Sequence, residues 1–161
     1  MSRARVRLEL TQEAEKFDSE NMFQQIKRIE ESTEQDPSLA IGSAKELIET
    51  CCKTILKERM VSFDEKAELP KLVKAAMKEL NLLPDNIPSQ SKGAETIKRI
   101  LSNLSSVTQG VAELRNLYGT GHGRSSNLKG LSSRHAKLAV GAASTLVVFL
   151  FETHSHRQKA L

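Results

Sequence analysis

The chain has no tryptophan and a single tyrosine, and aromatic residues make up 4% of its 161 positions. A sandwich or barrel built on aromatic and β-branched cross-strand pairs is a poor fit to such a composition. Cysteine is almost as scarce. Cys51 and Cys52 are adjacent, a spacing that matches neither a structural zinc site nor a redox pair separated by two residues, so they read as packing thiols of a reducing compartment. No apolar run reaches the ~20 residues a helix needs to cross a bilayer. The most apolar stretch, residues 138–151, reads as a buried core helix, and the opening MSRARVRLELTQ lacks the apolar core of a signal peptide. From these absences we expect a cytoplasmic protein without a membrane segment.

Acidic residues are missing from one long stretch. None lies between Glu113 and Glu152, yet Arg115, Arg124, Lys129, Arg134 and Lys137 fall there with His122 and His135. Residues 1–90 carry 14 Lys and Arg against 17 Asp and Glu; residues 91–161 carry 10 against 3. The halves therefore differ in sign. Cations without local counterions form either a solvated basic face or a surface for an anionic partner, of which nucleic acid is the commonest.

What is present in quantity is Ala, Leu, Lys and Glu, the strong helix formers. The length suits one domain rather than two. Val6, Leu8 and Leu10 alternate with charged neighbours, which suits a short edge strand or an extended arm over residues 1–17. From Asp18 the period becomes helical, with Phe23, Ile26 and Ile29 on one stripe. Asp36 and Pro37 then form a helix start, because a proline at the first helical position loses no hydrogen bond. That second helix extends to about Arg59 with Ala40, Ala44, Leu47, Ile48, Cys51, Ile55 and Leu56 inward. Leu72, Val73, Ala76, Met77 and Leu80 mark a third. The loop PDNIPSQSKG precedes a fourth helix, from about Ala94 to Tyr118, whose seam reads Ile97, Leu101, Leu104, Val107, Val111 and Leu114. Ser132 or Ser133 caps a last helix reaching about His154. The expected fold is all-α, a bundle of four to five helices over residues 18–156 with a tail at 157–161.

The segment LRNLYGTGHGR, residues 114–124, interrupts this helical pattern. A glycine-terminated helix whose last-turn arginine answers the helix dipole is one explanation. The other is a ligand loop, in which Gly119, Gly121 and Gly123 let the backbone approach a phosphate held by Arg115. The following SSRHAK adds weight to the second, since Arg134, His135 and Lys137 sit at the positive end of a helix, where a bound anion would offset their unfavourable placement. Imidazole can exchange a proton with a ribose hydroxyl near neutral pH, and guanidinium can grip phosphate while charge builds on its oxygens. Metal-assisted hydrolysis would want carboxylates, which this segment lacks. We therefore expect no metal and no cofactor; His154 and His156 read as surface residues near the terminus.

Arg115, the polar Asn116 and His122 after six intervening residues match the arginine–polar–x–histidine signature of the HEPN superfamily. More narrowly, LRNLYGTGHGR with RHAKLAVGAASTLVVFLFET, and AIGSAKELIETCCKTIL earlier in the chain, resembles the C-terminal domain of bacterial abortive-infection proteins over about residues 36–153. The resemblance implies a HEPN-like bundle that dimerises so that two motifs share one cleft. It also implies a metal-independent endoribonuclease serving as a toxin or antiphage effector and leaving 2′,3′-cyclic phosphate ends. Arg115, His122 and Asn116 would be its catalytic residues. Tyr118, Gly119, Gly121, Arg124, Arg134, His135 and Lys137 would contact RNA, and an antitoxin or larger defence-system partner could accompany the homodimer. A non-catalytic module binding RNA, nucleotide or protein is the alternative.

Overall fold

A computed structural model describes residues 20–118 and 130–159. Among the described residues there are five helices and no strand: α1 over residues 20–32, α2 Pro37–Glu58, α3 Leu69–Glu79, α4 Gly93–Tyr118 and α5 Ser133–Lys159. The arm or strand expected over residues 1–17 lies outside them.

Local chemistry sets the ends of α2. Asp36 accepts a hydrogen bond from Leu39 N at 3.1 Å with Pro37 following it, a cap worth about 1 kcal/mol. At the other end Val61 N donates to Leu56 O at 2.9 Å and Met60 N to Lys57 O at 3.0 Å. This is a Schellman closure in which Met60, at φ 60°, holds the left-handed position that glycine usually takes. Every residue expected inward on α2 is buried, and Ile41 and Cys52 join them. Burial pushes the Cys51 thiol well above its ordinary range and that of Cys52 up to about 12. The five inward residues expected of the third helix are buried as well.

The direction of the bundle follows from a few contacts. Cys51 Sγ lies 4.0 Å from Val147 O, and Glu58 meets His154; both pairs are 96 residues apart, so α2 and α5 run parallel in a fixed register. Thr108 on α4 donates to Ala139 O of α5 at 3.2 Å, while Arg115, further along α4, reaches back to Ser38 at the start of α2. Thus α4 is antiparallel to both.

Where α4 meets α5 the contact is made by small groups. Ala136, Ala139 and Ala143 are fully buried on α5, Thr108 of α4 bonds Ala139 O, and Ser105 and Ala112 on the same stripe of α4 are buried as well. This corrects the expected seam. Leu101 and Val111 are buried, but Ile97, Leu104 and Val107 are only half-buried and Leu114 is exposed. Close approach of two helices needs small side chains at the contact, and the larger ones are displaced to its flanks. Phe23 on α1 is likewise more than half exposed, at the edge of a groove between α1 and α5, while Ile26 beside it is buried. By length and composition α5 alone among the described helices could cross a bilayer, yet half of its most apolar window is buried within the bundle.

Helix α5 also runs beyond His154. Arg157 donates to Leu83 O at 2.5 Å, to Asn81 O at 3.0 Å and to Asp85 at 2.6 Å, so its last turns are tied to the α3–α4 connection. Together with His156, this arginine holds the Asp85 carboxyl below its usual range, the His156 hydrogen bond being the larger cause.

Candidate functional site

The register of α2 and α5 places Ser38 level with Arg134, and the antiparallel α4 delivers Arg115 to the same end. Two helix N-termini and one C-terminus thus converge around the described part of the arginine motif. Arg115 is in the last turn of α4, where a cation is favoured by the dipole of its own helix. Its Nη1 donates to Ser38 O at 3.3 Å and its Nη2 to Asn116 Oδ1 at 3.3 Å. A guanidinium has five N–H donors. Two are used by these contacts, and the group is half-buried, held against α2 but open on one side.

Asn116 is exposed beside it, and Tyr118 is the last residue of α4. Gly119, Gly121, His122 and Arg124 lie outside the described residues.

The start of α5 is more self-sufficient than its sequence suggests. His135 Nδ1 accepts from Ser132 N at 3.1 Å, so its imidazole takes the part a glutamate plays in a capping box. Lys137 pairs with Glu34, just ahead of α2. That bond holds the Glu34 carboxyl below its ordinary value. The acidic partner missing from the local sequence is supplied by a distant one. Arg134 is exposed with no partner among the described residues.

At the opposite end a second polar group is built around His154, which is 1% exposed. Its Nε2 bonds Glu58 Oε2 at 2.5 Å, and its Nδ1 accepts from Arg59 Nε at 3.1 Å; Arg59 also donates to Glu79 O at 2.9 Å. The arrangement fits an imidazole carrying its proton on Nε2. His154 is therefore not a surface residue, contrary to expectation, and it ties the C-terminal ends of α2, α3 and α5. His156 is exposed and meets Asp85 at 3.0 Å. Among the described residues no group of three His, Cys, Asp or Glu side chains is placed to hold a metal ion.

Two participants escaped the sequence reading, Ser38 and Gly42. A Cβ added at Gly42 would overlap Arg115 Nη1, with Cζ at 3.6 Å. The available signal was a glycine early in a well-capped amphipathic helix, where alanine is the better helix former.

The chain has no significant match among curated proteins or solved structures. A family model does match, over residues 20–154, a span that takes in α1. The chain belongs to that family, Abi_C, the HEPN-like domain.

Proposed function

We propose that this domain is a metal-independent endoribonuclease of the HEPN type, acting as a toxin or antiphage effector. The observation that supports it is the Arg115 guanidinium, fixed by Ser38 O and Asn116 yet half-open, at the end of the bundle where two helix N-termini converge. The positive ends of the α2 and α5 dipoles, and Arg134, which has no partner among the described residues, favour an anion there. In the reaction the ribose 2′-oxygen attacks the adjacent phosphorus as His122 takes its proton. Arg115 stabilises the charge gathering on the non-bridging oxygens, and Asn116 orients the guanidinium. The bond from phosphorus to the 5′-oxygen breaks, and that oxygen gains a proton. The products are a 2′,3′-cyclic phosphate and a 5′-hydroxyl.

Leu39, Leu114 and Leu138 are exposed on the same three helix ends. We assign them to contact with a second copy of the chain, which would set two motifs across one cleft. Light scattering of the purified protein at micromolar concentration should give a dimer; a monomer throughout would remove the shared cleft. Incubation with total RNA in EDTA tests catalysis, with His122→Ala beside it. Loss of cleavage in the variant supports the proposal, and unchanged cleavage removes His122 from it.

A second reading, binding without cleavage, draws on the internal pairing of Lys137 and the capping role of His135, which leave fewer cations for phosphate than the sequence counts. It predicts salt-sensitive RNA binding and intact RNA.

A further inference from the structure

Three glycines in helix interiors can be compared directly. At Gly110 and Gly141 an added Cβ would meet nothing within 4 Å. Gly42 differs. Its missing Cβ is the space that Arg115 Nη1 occupies. In α-helix geometry the Ser38 carbonyl accepts from the N–H four residues on, which is Gly42 itself. The guanidinium thus joins that backbone hydrogen bond from outside, bonding Ser38 O at 3.3 Å, and can do so only where no side chain shields the helix. No backbone strain calls for glycine here, since no positive φ accompanies it.

We infer that Gly42 is a positioning residue for the proposed reaction: by leaving the α2 surface bare beside Ser38 O, it fixes where the Arg115 guanidinium presents its remaining N–H groups to phosphate. This rests on the ribonuclease reading given above. A methyl at position 42 displaces the far end of a flexible side chain and leaves both backbones where they are. Gly42→Ala therefore yields a protein at least as thermostable as wild type, because alanine is the better helix former, but one whose arginine is misplaced. Displacement of a reacting group by about 1 Å can lower a rate on the order of 10²-fold.

The test uses the full chain in four forms: wild type, Gly42→Ala, Arg115→Ala and the double variant, with Gly110→Ala as the helix-glycine control. Cleavage of total RNA in EDTA should fall on the order of 10²-fold in Gly42→Ala, stay near wild type in Gly110→Ala, and fall no further when Gly42→Ala is added to Arg115→Ala. The ¹⁵N-arginine spectrum gives a readout independent of activity. The Arg115 Nε–H resonance, assigned through Arg115→Lys, should move in Gly42→Ala and hold in Gly110→Ala. Undiminished cleavage in Gly42→Ala, an equal loss in the Arg115→Ala background, a loss accompanied by a lowered melting temperature, or an unmoved resonance each overturns the inference. If wild type leaves RNA intact, the ribonuclease reading fails by itself, and the resonance still decides whether Gly42 sets the guanidinium.

Discussion

Replacing His154 by alanine should be among the most damaging single changes to the fold. The imidazole is almost wholly shielded from solvent and packs edge-on to Phe151, with ring centroids 6.3 Å apart. Its removal leaves a cavity whose cost, for a buried ring of this size, is about 2 kcal/mol. Arg59 Nε also loses its acceptor, while the same side chain keeps Glu79 O; an unmet hydrogen bond in this setting adds about 1 kcal/mol. The Glu58 side chain, 28% exposed, can turn to water and adds little. The total of about 3 kcal/mol corresponds to a melting temperature lowered by roughly 6–12 °C for a domain of this length. Urea denaturation followed by circular dichroism would measure the free energy directly. Glu58→Gln, which keeps an acceptor for Nε2, should lose under about 1 kcal/mol. A His154→Ala variant within about 0.5 kcal/mol of wild type would refute this account of the buried cluster.

Two further outcomes follow from the helix ends and the core. Met60→Gly should raise stability by about 1 kcal/mol, because the left-handed position in the Schellman closure strains any side chain; a lowered urea midpoint would contradict it. Cys51 and Cys52 should not react with Ellman's reagent at pH 8 until the protein is unfolded, since both are buried and both thiols are held protonated. Because their native pKa values lie above the unfolded ones, the native state binds more protons in alkali. Stability from these groups is complete below the ordinary thiol value near 9 and declines as pH rises from there towards about 12; stability flat over that range would contradict the burial.

Much of the architecture could be read from periodicity and punctuation. Asp36 and Pro37 mark the start of α2 to the residue, and its inward set follows the 3.6-residue repeat because one face of the helix is buried in the bundle core. The same repeat misled on α4. It points to large aliphatic residues, whereas the α4 side chain bonded to α5 is Thr108, at Ala139 O, with Ser105 and Ala112 buried on the same stripe. Hydropathy alone gives no notice that a partner helix is made of alanine. His154 was misread for a related reason. Nothing near it in the chain can satisfy an imidazole in a core, and its partners Glu58 and Arg59 lie 96 and 95 residues away.

The candidate site was legible in part. Arg115 and Asn116 stand out as a polar pair beside a break in the helical pattern. Their setting did not, because Ser38 and Gly42 act through a backbone carbonyl and an absent side chain, neither of which carries a residue-type signal. The run of cations after Glu113 likewise overstates the free charge, since Glu34 meets Lys137 across the bundle.

The ends left on cleaved RNA test the proposed chemistry most directly. With a defined oligoribonucleotide in EDTA, the wild-type protein should generate 2′,3′-cyclic phosphate and 5′-hydroxyl termini, and both Arg115→Ala and His122→Ala should cut their yield steeply, to a residual level that long incubation still measures, while melting as wild type does. Products bearing 5′-phosphates, or cleavage undiminished in either variant, would contradict an arginine and a histidine acting on the ribose–phosphate linkage.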